Sequence, residues 1–344
     1  MAVTIREVAD RAGVSTMTVS RVLNDSNRVQ PETRQKVERA IAELGYVPNG
    51  LARGLSSQKT GVVALIVPDV ANPFFTKLVR GAENVAWHNG FRAILCNTEN
   101  DLNREKAYLQ DMTAQRVEGL IIAPTSDQTR QHLKALEQHN IPVVMVDRSV
   151  EGLEYDLVEG DNQTGARRLV EHLISLGHRN IAFINGPLNI STSRDRLKGY
   201  RQALEAAQLS YKSELVIQTK VDQNGGYQAA KKILKLKERP DAIFAVNNLV
   251  AVGVVQAAEE IGLAIPKNLA LVCFDDIEYA SIICPFLTVM AQPAESFGTI
   301  ALQLLLDRIS GRAIEQRHVT LAAELIIRES CGAKLAKNRR KEQP

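Results

Sequence analysis

Two successive series of apolar runs, separated by amphipathic stretches of helical length, restrict this chain more than any other feature. The first series is "GVVALIVPD", "FRAILCN", "VEGLIIAP" and "IPVVMVD", interrupted by stretches such as "FFTKLVRGAENVAWHNG" and "QTRQHLKALEQH". The rhythm restarts after Asp161 with "NIAFING", "ELVIQTK", "DAIFAVN" and "LALVCFD". Short apolar runs alternating with helices cannot bury both faces of each strand unless the strands pair in parallel and the helices cover the sheet. Two such series predict an α/β architecture with two similar lobes, each a doubly wound parallel sheet. A closing strand and helix, "LTVMAQP" and "ESFGTIALQLLLDRISG", then "HVTLAAELIIRES", complete the lobes without revealing from pattern alone which lobe each joins.

The first 48 residues have a different texture and predict an all-α unit. Thr4 and Glu7 form a T-x-x-E capping box, Ile5, Val8 and Ala9 give one apolar face, and Gly13 breaks the pattern. Ser15 caps a second helix whose Val19, Val22 and Leu23 face inward. A third runs from about Pro31 to Leu44, with proline in its first turn and Gly45 past its end. Helix, tight glycine turn and helix is the helix-turn-helix arrangement, in which the start of the second helix enters the DNA major groove. The stretch "GVSTMTVSRVLN" suits that task. Hydroxyls at Ser15, Thr16, Thr18 and Ser20 hydrogen-bond phosphates or base edges, Arg21 grips guanine bidentately, and Met17 offers an apolar tip to a thymine methyl.

In open parallel sheets, ligands bind beyond the carboxyl ends of the strands. Five strands here close on a polar residue: Asn97, Asp147 with Arg148, Asn247, Asp275 and Gln292. Each alone can cap the following helix, but together they supply planar donors and acceptors suited to a polyhydroxylated molecule. Phe74 and Phe75 add ring faces.

Composition narrows the class. With 344 residues, 45% hydrophobic and 24% charged, the chain is long enough for two or three domains. Its apolar runs are too short to cross a bilayer, and "MAVTIREVAD" carries charges where a signal peptide would be apolar, so the expected location is cytoplasmic. Cys96, Cys273, Cys284 and Cys331 show no metal-ligand spacing and are expected to be reduced, with no metal or cofactor. The net charge of +3 divides unevenly, with +3 in residues 1–60 and +4 in residues 331–344, leaving the body mildly acidic. Basic ends fit nucleic-acid contact, although the last 14 residues read as a solvated, disordered tail. No GxGxxG follows a strand, and no P-loop or GxSxG elbow occurs, so the expected chemistry is binding without catalysis.

"TIREVADRAGVSTMTVSRVLN" and "VQPETRQKVERAIAELGYVPN" resemble the DNA-binding signature of the lac repressor and galactose repressor family, and "ALIVPDVANPFF" and "FDDIEYAS" resemble its regulatory core. The resemblance implies a headpiece over 1–48, a hinge over 49–60 and an effector-binding and dimerisation domain over 61–330. The lobes are expected at about 61–161 plus 292–322 and 162–291 plus 323–330, followed by the tail 331–344. It further implies major-groove contacts from Thr16, Met17 and Arg21, supported by Thr4, Ser15, Thr18, Ser20 and Asn24. The hinge "NGLARGLSS" would order on DNA, with Leu55 wedged in the minor groove beside Ala52 and Arg53. The family's effector positions fall on Phe74, Asp147, Arg148, Arg196, Asn247, Asp275 and Gln292, with Asn72, Phe75 and Asn97 beside them.

"NPFF", "DR", "SRDRLKGY" and the terminal Gln resemble the ribose-binding version of the cleft. Where the family often reads Asn-Asp, this chain has Asn247 and Asn248. The implied protein is a homodimeric repressor of carbohydrate genes, binding a pseudopalindromic operator and a sugar effector, with a pentose such as ribose favoured. A purine-type or phosphoprotein-assisted corepressor response is the alternative. Inducer or corepressor, and dimer or tetramer, stay open at this stage.

Overall fold

The computed structural model describes residues 3–23, 29–46, 60–277, 286–312 and 315–335. The chain divides into two compact units, residues 1–60 and 61–344.

The first unit contains α1 (Ile5–Ala12), α2 (Thr16–Leu23) and α3 (Pro31–Leu44). The capping box forms in both directions, since the Thr4 backbone N–H donates to Glu7 Oε2 at 2.7 Å and the Glu7 backbone N–H donates to Thr4 Oγ1. Gly13 ends α1 in the left-handed region at φ 66°, returning its N–H to the Ala9 and Asp10 carbonyls. The tight turn brings α2 across α1, and Val8, Ala9, Val19, Val22, Val37 and Ala40 close a small core.

The second unit holds two six-stranded sheets. The first contains β1 (Val62–Val67), β2 (Arg92–Asn97), β3 (Gly119–Ile122), β4 (Val143–Val146), β5 (Asp156–Gly160) and β11 (His318–Leu321), in the order β11-β5-β4-β3-β1-β2. The second contains β6 (Ile181–Asn185), β7 (Val216–Gln218), β8 (Ala242–Ala245), β9 (Ala270–Phe274), β10 (Thr288–Ala291) and β12 (Glu324–Ile326), in the order β12-β10-β9-β8-β6-β7. The orders match strand for strand, and only β12 runs antiparallel to its neighbour. Period-two alternation explains the layering. Val63, Leu65 and Val67 face α4 (Pro73–His88) and α11 (Ala294–Ile309), while Ala64 and Ile66 face α5 (Leu102–Ala114) and α6 (Thr129–Leu136). In the second lobe, α7 (Asn162–Ser175), α8 (Ser191–Ala206), α9 (Gln223–Ile233) and α10 (Asn248–Glu260) cover a core where Phe183 stacks on Phe244 at 4.3 Å.

The chain therefore crosses between lobes three times, after β5, after β10 and after β11. The closing elements are shared out: α11 and β11 join the first lobe, β10 and β12 the second. Cys96, Cys273 and Cys331 are buried free thiols, and Cys284 lies outside the described residues. Cys331 corrects the expected start of the tail, because it is fully buried in the second-lobe core and residues 333–335 form a further helical turn. Among the described residues no helix is long and apolar enough to cross a membrane.

Helices α4 and α11 approach so closely that only glycine fits at two points. A Cβ on Gly298 would collide with the Leu78 carbonyl oxygen, and one on Gly81 with that of Glu295. Backbone cannot rotate away as a side chain can. Gly298→Ala is expected to lower stability by about 2 kcal/mol or more, read as a shift in urea midpoint at unchanged slope.

Candidate functional site

The carboxyl ends of both sheets face each other across the interlobe cleft. Asp147 follows β4 and Asp275 follows β9, which occupy equivalent places in the two strand orders. Both take φ 64°, a left-handed conformation that Asp tolerates better than most residues. Each then bonds the next strand, Asp147 N–H to Val158 O at 2.8 Å and Asp275 N–H to Met290 O at 3.0 Å. The same backbone device thus turns a carboxylate into the cleft from each lobe.

Two arginines accompany them. Arg196, from α8, donates through Nε to Asn162 Oδ1 at 2.8 Å and through Nη1 to Val246 O at 2.6 Å, with its guanidinium 3.9 Å from the Phe274 ring centroid. Arg148 donates through Nη1 to Asn100 Oδ1 and Pro124 O, both at 3.1 Å. Its Nε is buried without a hydrogen bond, 3.6 Å from Asp147 Oδ2. All four charged groups are buried. Burial pushes the Asp147 carboxyl up to about 6 despite opposing pulls from Arg148 and Arg196. Burial also raises Asp275, partly offset by Arg196 and the Gln292 amide, and lowers both guanidinium groups.

These groups surround a narrow cavity of about 40 Å³. Of the residues expected in it, Asn72, Phe74, Phe75, Asp147, Arg148, Arg196, Asn247 and Asp275 line the wall. Asn72 and Asn247 also cap helices: Asn72 Oδ1 accepts from Phe74 N–H, and Asn247 Oδ1 from Val250 N–H. Each of the two asparagines therefore both lines the wall and caps a helix. Two expected residues lie outside the wall. Asn97 Oδ1 accepts from the Val70 N–H, bracing the loop after β1. Gln292 stands behind the cleft, donating through Nε2 to Asp275 Oδ1 at 2.8 Å, while its buried Oε1 fills space that a Cβ on Gly160 would occupy.

Sequence reading missed Asp69, Asn100, Ile190, Thr192, Ser193, Val221 and Val246. Asp69 ends the run "GVVALIVPD" and obeys the strand-end rule that found the others. Ile190, Thr192 and Ser193 carried no local signal, because only the lobe arrangement brings the start of α8 to the wall. Asn248 is buried behind the wall, donating to Asp276 O at 3.4 Å with its Oδ1 unbonded.

A wall of alternating carboxylate acceptors and guanidinium or amide donors matches hydroxyl groups, each of which donates and accepts. Asp147 and Asp275 formally balance Arg148 and Arg196, leaving Asp69 as the remaining charge on the wall.

In the first unit, Ser15, Thr16, Met17 and Arg21 stand on the exposed side of α2, and Thr18 and Ser20 at its edge. Ser15 Oγ accepts from the Thr18 N–H at 3.2 Å and pairs with Thr18 Oγ1 at 3.0 Å, so these two hydroxyls cap the helix. Met17 leaves 63% of its surface in water. Thr4 is held in the capping box of α1. Asn24, Ala52, Arg53 and Leu55 lie outside the described residues.

Residues 4–49 match the family model described as bacterial regulatory proteins, lacI family, and residues 170–331 match a periplasmic binding protein-like domain. The ribose operon repressor of Escherichia coli (strain K12) is 36% identical over 329 residues, covering 95% of this chain and 99% of that protein. The HTH-type transcriptional repressor PurR of Proteus mirabilis (strain HI4320) is also 36% identical, over 95% and 96% of the two chains. Among solved structures, the lac repressor dimer bound to operator and the anti-inducer ONPF superposes with a TM-score of 0.83 at 30% identity, over 96% of this chain and 99% of that one. A LacI family regulator from Enterococcus faecium with bound ribose gives 0.70 at 31% identity, over 78% and 98%.

The raised Asp147 carboxyl has a measurable consequence. Its stabilising contribution is complete below the unfolded value near 4 and is lost as pH rises through about 6. Unfolding free energy is expected to carry a loss on the order of 3 kcal/mol from this group between about pH 4 and 7. Asp147→Asn should flatten that part of the stability profile, measured by urea unfolding across the range.

Proposed function

The chain belongs to the lacI family of bacterial regulatory proteins, and on that premise we propose that its effector is an uncharged pentose of the ribose type. It is a ligand-responsive, sequence-specific DNA-binding transcriptional regulator that binds operator DNA as a homodimer. In the absence of pentose it holds its operator and represses, and in the presence of pentose it releases it. The observation that carries the effector assignment is the pair of mirrored carboxylates, Asp147 and Asp275, set among Arg148, Arg196 and Asn247 around one narrow cavity. Support comes from the name of the Escherichia coli ribose operon repressor and from the ribose bound to the Enterococcus faecium neighbour.

The purine reading has a relative of equal identity in its favour, and a purine is therefore the competing ligand in the titration below. Phe74 packs at right angles to both Phe75 and Phe297, at 5.1 and 5.3 Å between ring centroids. We read the protein as non-catalytic, since the cleft's ionisable groups hold one another or the backbone. Its work on an operator assigns it to the cytoplasm. In the headpiece, Thr16, Met17 and Arg21 are the proposed base readers, with Thr4, Ser15, Thr18, Ser20 and Asn24 supporting. Leu55, beside Ala52 and Arg53, is the proposed minor-groove wedge.

An effector that is the substrate of the genes it controls must release the operator, and linkage then requires operator DNA to weaken pentose binding by the same factor. Titration calorimetry should show ribose binding that operator DNA weakens; binding of hypoxanthine without ribose would overturn the assignment. Arg196→Ala is expected to reduce ribose affinity at least about tenfold, since it removes charged hydrogen bonds, while leaving operator binding intact. Arg21→Ala is expected to cost about 1–3 kcal/mol of operator discrimination, read by fluorescence anisotropy against scrambled DNA.

A further inference from the structure

Two positions before Arg196, the same helix carries an arginine that turns away from the cavity. Arg194 Nη1 lies 2.5 Å from Asp127 Oδ2 and Nη2 lies 3.2 Å from Oδ1, a two-pronged pair that joins α8 of the second lobe to the segment between β3 and α6 of the first. Nη1 also donates to Leu188 O at 2.9 Å, which holds the guanidinium in place on its own lobe. Two further bonds cross at the same rim. The Asp127 N–H donates to Asn189 O at 3.0 Å, and the Ser149 N–H donates to Ser191 Oγ at 3.0 Å. Neither Arg194 nor Asp127 lines the cavity.

We propose that Arg194 is a positioning residue, a charged latch that sets effector affinity by holding the lobes together without touching the effector. The receiving segment is firmly anchored. Glu105, fully buried, accepts from the Thr125 N–H at 2.8 Å and from Thr129 Oγ1 at 2.9 Å, with His132 Nδ1 at 2.9 Å, while Pro124 O takes the Arg148 guanidinium. Asp127 is thus presented from a braced loop, and α8 carries the latch arginine and the cavity arginine on one rigid element. Arg196 is held on its own lobe by Asn162, Val246 and the Phe274 ring, so fixing Arg194 against Asp127 fixes the second-lobe wall of the cavity relative to the first. A lobe-closing equilibrium converts such a contact directly into apparent affinity, because a ligand for the closed form binds in proportion to the closed fraction.

The latch is partly open to water, with 32% of the Arg194 side chain and 39% of that of Asp127 exposed. Salt can therefore screen it. This gives the pairing a signature that a purely structural role lacks: the affinity for an uncharged sugar becomes sensitive to ionic strength.

The choice of ribose as probe rests on the effector reading above. The test uses the full-length protein, titrated calorimetrically with D-ribose in about 50 and about 500 mM KCl. Expected is a roughly two- to fivefold weaker affinity at high salt, a similar loss in Asp127→Asn at low salt, and no further salt effect in that variant. The exchange of Asp127→Arg with Arg194→Asp should restore most of the affinity. In parallel, nitroxide labels on Gln131→Cys and Lys198→Cys report the interlobe distance without ligand, which should lengthen in Asp127→Asn. Unchanged affinity and unchanged distance in Asp127→Asn would overturn the latch. If the unsubstituted protein binds no ribose, the sugar reading falls, and the label distance alone decides the latch.

Discussion

Four ionisable groups are held out of water at one place, and the architecture around them is organised to make that tolerable. An isolated buried charge would cost several kcal/mol, and each of these four lies among opposite charges, amides or backbone carbonyls. Arg196 is fastened by Asn162, Val246 and the Phe274 ring, Asp275 by Gln292, and Arg148 by Asn100 and Pro124. Asp147 is the least satisfied, with Arg148 Nε at 3.6 Å, and its carboxyl rises accordingly. A molecule rich in hydroxyls would supply the hydrogen bonds these groups lack. The energetic weakness of the cleft is thus also the source of the affinity proposed for it.

Gln292 shows how the cleft connects to the rest of the unit. It follows β10, where the chain leaves the second lobe for the first, and its amide holds Asp275 while its oxygen rests against Gly160, at the end of β5. Next to it, the Asp161 N–H bonds Leu321 O, joining two other crossings. The side chain that fixes a cleft carboxylate thus sits among the three chain crossings, where any change in lobe angle must be absorbed. The Arg194–Asp127 pair occupies the opposite kind of place, a rim where the lobes meet through side chains and loops and not through continuous chain.

Much of this was legible in the sequence because the signals are local. Apolar runs of strand length gave the two sheets, Gly13 and the Thr4 capping box marked α1, and polar residues at strand ends located Asp147, Asn247 and Asp275. Asn97 and Gln292 obey the same strand-end rule and still fall behind the wall, since the rule locates a rim and not the direction in which each side chain points. Ile190, Thr192 and Ser193 reach the wall from the start of α8 through tertiary packing that no local pattern announces. Asp127 and Arg194 stand 67 positions apart, and neither has a local pattern that announces the other. Cys331 was read with the basic tail because charge follows it, whereas burial in the second-lobe core is decided by the contacts of β12 and its neighbours.

The sharing of closing elements between lobes also governs the order in which the polypeptide can be completed as it is made. The first sheet lacks the cover of α11 until residue 309 has emerged and lacks β11 until residue 321, while the second lacks β12 until residue 326. Until then the face formed by Val63, Leu65, Val67, Ile121 and Val144 is covered by α4 without its partner. Vectorial synthesis therefore holds both lobes unfinished until almost the whole chain has been translated, and an apolar sheet face stays open on the ribosome for most of that time. Premature termination after β9 and before α11 would release two incomplete lobes in place of one finished and one missing, leaving a fragment for protein quality control to remove.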